Sequence, residues 1–88
     1  MKKLPQVTVG AYVFDCTAEV VDDGIVFVTA RSCADPKDAI GRKMNHMGPH
    51  DHPAEQFEID VLRFAAKIAA ELAGKMRSRD LAKAYVES

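Results

Sequence analysis

The strongest pattern in the sequence is an apolar stripe over residues 53–76, which predicts one long helix. Its members recur every three or four residues: Phe57, Val61, Phe64, Ala65, Ile68, Leu72 and Met76. Six further apolar residues widen the stripe beyond a single face of that helix. At about 1.5 Å per residue the helix spans about 36 Å, which is roughly the width of a whole domain of this size. We therefore expect it to be covered on two sides, by its own chain or by a second copy.

Two runs rich in β-branched and aromatic residues, 7–21 and 25–32, precede that helix, and Asp22-Asp23-Gly24 separates them. Such runs around a short turn containing glycine predict an antiparallel β-hairpin over about 7–32. The connection is either a two-residue Asp-Gly turn or a three-residue loop with Gly24 in the left-handed conformation.

The pairing register favours the three-residue loop. It places Cys16 opposite Ala30, Thr17 opposite Thr29 and Asp15 opposite Arg31, which is a favourable ion pair across the strands. One face of the hairpin is then wholly apolar: Phe14, Cys16, Ala18, Val20, Val26, Val28 and Ala30. The two-residue turn would instead mix polar and apolar residues on both faces.

The first of the two runs is too long to be a single straight strand. Fifteen extended residues would reach about 50 Å, whereas a domain of this size is about 30 Å across. Gly10 is the expected place for a bend, because the apolar alternation changes phase shortly after it. Residues 6–10 then form a short third strand beside the hairpin.

Two further helices are expected around the long one. Asp35-Pro36 resembles a helix start, with Asp as the N-cap and Pro in the first turn, and predicts a helix over about 36–47. Ser78 is a candidate cap for a last helix over 79–87, whose Leu81 and Tyr85 would cover the long helix. The predicted fold is therefore α+β, an N-terminal antiparallel β-hairpin of two or three strands packed against two or three C-terminal helices.

Length, charge and cysteine content narrow the class of protein. The 88 residues carry a formal net charge of −1 and suit one domain, 1–88. Two cysteines are too few for a disulfide-stapled secreted fold, and no apolar run has the length of a membrane span. These features predict a cytoplasmic protein without a membrane partner.

All three histidines lie close together, in the spacing His46-x3-His50-x-His52. Imidazole nitrogens bind zinc, and three protein ligands plus water form a typical catalytic site. Cys16 or Cys33 is a further possible donor. The sequence therefore leaves open a zinc site or a pH-sensitive joint here, against the simpler interpretation of a polar loop that caps a helix. No other cofactor is expected.

A local excess of basic residues occurs only near the C-terminus: Lys75, Arg77, Arg79 and Lys83. Cations at a helix C-terminus complement the helix dipole, so a solvated helix end explains them. Contact with a nucleic acid is the alternative, but no segment has the strong basic excess that phosphate binding usually requires.

No catalytic constellation is recognisable in the sequence, so we expect a protein that is not an enzyme. Val21, Ile25 and Phe27 are apolar residues near the hairpin tip that point away from the predicted core, and exposed apolar patches often mark binding sites. The leading hypothesis is a small protein–protein interaction module, a homodimer, that acts as a regulator or inhibitor by binding a partner protein.

Overall fold

The computed structural model describes residues 1–22, 24–45 and 54–87 of the chain. It is a small single-domain α+β protein with a five-stranded antiparallel sheet and, in the described residues, one helix. The elements in chain order are β1 (Lys2–Lys3), β2 (Val7–Val9), β3 (Tyr12–Asp22), β4 (Ile25–Ser32), β5 (Ala39–Asn45) and α1 (Ala54–Glu87).

The sheet is built around the β3–β4 hairpin. Strand β5 pairs with the far side of β4, and β1 and β2 both pair with the free side of β3. Gly10 has a φ of 60° and, with Ala11, turns the chain from β2 into β3. Glycine tolerates this left-handed conformation because it has no Cβ. The predicted bend at Gly10 and the predicted third strand are confirmed, and β1 and β5 extend the sheet further.

The hairpin register is confirmed over most of its length. Cys16 pairs with Ala30, Thr17 with Thr29, and Asp15 with Arg31. Gly24 has the expected left-handed conformation, with a φ of 72°. Near the tip the pairing differs from the prediction, because Asp22, not Val21, lies opposite Ile25 and the register shifts between Val20 and Asp22.

Helix α1 packs along one face of the sheet and forms the core with it. The most deeply buried large side chains are Phe14, Cys16 and Val28 from the sheet and Ile68 from the helix. Alternation along β3 and β4 places every second side chain towards α1. Val20 lies on this apolar face as predicted, opposite Val26, but 71% of its surface is exposed.

The predicted helix over 36–47 is wrong, because residues 39–45 form strand β5. Asp35-Pro36 starts a turn instead. The Asp38 backbone N–H donates to the Asp35 carbonyl at 2.9 Å, and the Lys37 N–H donates to the Asp35 side chain at 3.2 Å. Asp followed by Pro favours the first two positions of a β-turn as strongly as a helix start.

The predicted helices 53–76 and 79–87 form a single helix, and the expectation of two or three helices is wrong. The burial pattern follows the predicted stripe as far as Met76, and residues 77–87 are all exposed. We call residues 77–87 the helix overhang. Their Leu81 and Tyr85 do not fold back over α1 as predicted. No helical stretch in the described part of the chain is both long and apolar enough to cross a membrane.

Candidate interaction surface

The sheet face turned away from α1 has no helix packed on it in the described residues. We call it the open sheet face; it carries the alternate side chains of β3, β4 and β5. Ile25 and Phe27 lie on it and are half-buried, as are Val13, Thr17 and Thr29. Two of the three residues predicted to bind a partner, Ile25 and Phe27, therefore share this face, while Val21 is exposed at the register shift near the hairpin tip.

The Phe27 ring lies across Gly41 of the neighbouring edge strand. A Cβ atom added at Gly41 would meet Cζ of Phe27, with Cε1 at 2.9 Å. Because Gly41 has no Cβ, the tip of the ring has room beside the backbone of β5, an arrangement known from other sheets in which an aromatic residue covers a glycine. The Phe27 side chain as a whole is half-buried there.

Charged residues flank Phe27 across the sheet. Its direct neighbours in the pairing are Glu19 on β3 and Lys43 on β5, both exposed. Directly opposed residues on one face of an antiparallel sheet have Cβ atoms about 5 Å apart. The open sheet face therefore carries an apolar centre with a carboxylate on one side and an ammonium group on the other.

A small cavity opens near the hairpin tip, between the sheet and the first turns of α1. Its volume is about 130 Å³, and its lining is mostly apolar, with Val20, Val26, Phe57 and Val61 among its walls. Lys2 and Glu58 stand at its rim and form an ion pair of 3.1 Å. Because Val20 lies at this opening, its exposure follows from its position at the end of the helix-covered area.

Cys33 belongs to a polar cluster with Gln6 and Asp15. The Gln6 Nε2 donates to Asp15 Oδ1 at 2.9 Å and to Cys33 Sγ at 3.6 Å. Partial desolvation, followed by its hydrogen bond to Asp15, raises the pKa of the Cys33 thiol. A raised pKa keeps the thiol protonated, which is the opposite of what a nucleophilic cysteine needs. Burial likewise raises the pKa of the Cys16 thiol.

The predicted metal ligands His46, His50 and His52 lie outside the described residues. Within residues 1–22, 24–45 and 54–87, no group of three or more His, Cys, Asp or Glu side chains could hold a metal ion. Of the two possible thiolate donors, Cys16 is buried in the core and Cys33 is exposed. The zinc site stays a prediction.

Lys75, Arg79 and Lys83 follow at four-residue spacing along one side of α1, and Arg77 lies on the other side. Arg79 forms two hydrogen bonds of 2.9 Å with the carboxylate of Asp38, and Lys75 lies 3.9 Å from Glu71. Arg77 is two helical positions from Arg79, about 200° around the helix axis. Lys75 and Arg79 thus have carboxylate partners, and Arg77 lies apart from the other three basic residues, which weakens the nucleic-acid alternative.

A second concavity was not predicted from the sequence. It lies between the β2–β3 turn and the side of α1, has a volume of about 510 Å³, and is lined by Val9, Ala70, Gly74 and Arg77 among others. We call it the helix groove. The small residues Ala70 and Gly74 leave room for the groove on the helix side. The β2–β3 turn forms its other wall, and the position of this turn beside α1 cannot be predicted from the local sequence.

The chain was compared with protein-family models, with curated proteins and with solved structures. No family model matches it, and neither the curated proteins nor the solved structures contain a match.

Proposed function

We propose that this protein is a non-enzymatic interaction module that regulates or inhibits a partner protein by binding it through the open sheet face. The observation that carries the proposal is the position of Phe27. It presents an aromatic ring at the centre of a sheet face on which no helix of the described chain packs. Aromatic residues surrounded by polar neighbours are enriched among the residues that dominate protein interfaces.

The surroundings of Phe27 indicate what a partner surface would have to offer. An apolar pocket would receive the ring, and charges of opposite sign would meet Glu19 and Lys43 on either side. Complementary charges of this kind fix the orientation of a partner and speed association more than they add to affinity. Ile25 extends the apolar centre along β4 towards the hairpin tip, where Val21 is exposed.

The rigidity of the sheet also supports binding through this face. Strand β4 lies in the interior of the sheet, between β3 and β5, and its other side packs on α1. Side chains held on such a strand are already ordered before binding, so that less conformational entropy is lost when a partner docks.

We further propose that the protein is a homodimer. The sequence predicts that the long helix is covered on two sides, and the described part of the chain covers only one of them.

The proposal is tested by quantitative affinity enrichment from the native host with the wild-type chain and two variants. Phe27→Asp changes the centre of the open sheet face, and Lys67→Asp places the same residue on the exposed side of α1. We expect at least one protein to be enriched by the wild type and by Lys67→Asp but lost with Phe27→Asp. Equal enrichment by all three folded proteins would reject the open sheet face as the binding site.

A further inference from the structure

The side of α1 that lines the helix groove continues along the helix overhang. Ala70, Gly74, Arg77, Leu81 and Tyr85 follow one another at spacings of four, three, four and four residues. Residues at this spacing form a single stripe along a helix. Its first half lines the groove, and its second half projects beyond the sheet, where 61% of Leu81 and 83% of Tyr85 are exposed.

From this stripe we infer that two copies of the chain pair through their helix overhangs, antiparallel, about a two-fold axis at Leu81. The inference rests on the homodimer proposed above and identifies the residues through which the two copies contact each other. Partner binding through the open sheet face does not depend on this contact. Such a contact is isologous, with the same patch on both subunits.

The spacing of the side chains around Leu81 suits pairing with the overhang of a second copy of the chain. Arg77 and Tyr85 each stand four residues from Leu81, on opposite sides of it along the chain. A two-fold axis at Leu81 therefore brings Arg77 level with Tyr85 of the partner subunit, twice in the dimer. A guanidinium group beside an aromatic ring is an attractive pair, and the two Leu81 side chains meet at the axis.

The like charges of the helix overhang lie away from this contact. Arg79 and Lys83, which would repel their counterparts, lie on the other side of the helix, where Arg79 binds Asp38. The last turn of one helix lies beside Arg77 of the partner subunit, at the end of the helix groove.

The contact is short, so we expect a reversible dimer. The pairing involves about three turns of each helix, and the surface it buries is smaller than the roughly 800 Å² per partner of a standard interface. Dissociation constants in the micromolar range are typical of such contacts, and the dimer is then visible only in concentrated solution.

Cysteine cross-linking in the full chain tests the pairing. In a Cys33→Ser background, Leu81→Cys is compared with Lys83→Cys, which is exposed on the opposite side of the overhang. Closely packed helices bring facing Cα atoms within disulfide reach of about 6 Å. We expect Leu81→Cys to form a covalent dimer roughly tenfold faster or more, because fixed proximity raises the effective thiol concentration.

The antiparallel direction is tested by mixing two single variants in equal amounts. Arg77→Cys and Tyr85→Cys should form the mixed disulfide in preference to either symmetric one, whereas parallel helices would give the symmetric products. Sedimentation of the wild type and of Leu81→Asp up to roughly 1 mM accompanies this test, and circular dichroism confirms that the variant is folded.

The possible outcomes separate the two proposals. A dimer that Leu81→Asp dissociates, with the expected cross-links, supports the pairing. A dimer that persists in Leu81→Asp, or cross-links equally at positions 81 and 83, overturns the pairing and leaves the homodimer. A monomer at every concentration overturns both, and binding of another protein by the overhang in that case would identify a different occupant.

Discussion

Asp38 and Arg79 are joined by two parallel hydrogen bonds, each 2.9 Å long, between the carboxylate of the β4–β5 turn and the guanidinium of the helix overhang. Two parallel hydrogen bonds of this kind fix the relative orientation of the guanidinium and the carboxylate as well as the distance between them. One residue further, the Tyr12 hydroxyl donates to Asp80 at 2.7 Å. These two contacts hold the base of the helix overhang against the sheet and so determine where residues 81–87 project.

Removing this pair should destabilise the fold in a pH-dependent way. The hydrogen bonds from Arg79 lower the pKa of Asp38 below its usual value of 3.8. A carboxylate with a lowered pKa stabilises the folded state above its unfolded pKa, and this contribution is lost as the pH falls through the folded value. Arg79→Ala should therefore lower the Tm at pH 7.

The difference in Tm between the wild type and Arg79→Ala should shrink as the pH falls below 3.8. Thermal unfolding followed by circular dichroism between pH 7 and pH 2 measures it. A difference that stays constant over this range would show that Arg79 stabilises the fold by packing and not through its ion pair.

The close approach of Phe27 to Gly41 predicts a dependence of one residue on the other. Gly41→Ala should destabilise the chain by about 1 kcal/mol, because the new Cβ displaces the ring from its position. In a Phe27→Ala background the same change should be neutral or stabilising by about 0.5 kcal/mol, since alanine restricts the unfolded chain more than glycine does.

A double-mutant cycle of urea unfolding curves measures this dependence. Additive effects of Gly41→Ala and Phe27→Ala would mean that the ring does not rest on Gly41 in solution. The half-buried position of Phe27 on the open sheet face would then need to be revised.

Ile68 is the largest fully buried side chain of α1. Its side chain is 2% exposed, and Ile68→Ala should cost about 2–5 kcal/mol through lost burial and the cavity it leaves. The neighbouring Lys67→Ala changes an exposed position and should stay within about 0.5 kcal/mol. Chemical denaturation of both variants checks the difference, and equal losses would contradict the assigned face of the helix.

The end of α1 should be dispensable for folding of the single chain. Residues 81–87 are exposed throughout, so a chain that ends at Asp80 should keep the core and the Arg79–Asp38 contact. We expect the free energy of unfolding in dilute solution to change by about 0.5 kcal/mol or less. A large loss of stability in dilute solution would instead assign residues 81–87 to the core of the single chain.

The sheet was predicted in part because strict alternation over residues 14–20 and 26–30 permits only one favourable register. Strand β5 was missed because Ile40 and Met44, four residues apart, share a face in a strand as well as in a helix. Arg42, which lies between them on the side of α1, interrupts the apolar alternation that would have indicated a strand. Its Nη2 lies 2.9 Å from Glu71 Oε1, and a contact across 29 residues cannot be inferred from local pattern.

The division of α1 into two helices was predicted from Ser78, a good cap. The structure continues the helix through it, and in that conformation Arg79 binds Asp38 and Asp80 accepts from Tyr12. The partner-binding residues were predicted more successfully for β4 than for the tip. Alternation placed Ile25 and Phe27 opposite the core, whereas the register shift between Val20 and Asp22 changes the neighbours of Val21.

Photocross-linking inside the native host tests the proposed partner binding most directly. A photoreactive phenylalanine analogue replaces Phe27 in one variant and Lys67 in another, and cross-linked proteins are identified by mass spectrometry. We predict that position 27 captures a specific protein, with cross-links mapped to one surface of it, and that position 67 does not. If position 27 captures nothing beyond what position 67 captures, the open sheet face is not a binding surface and the proposed function is wrong.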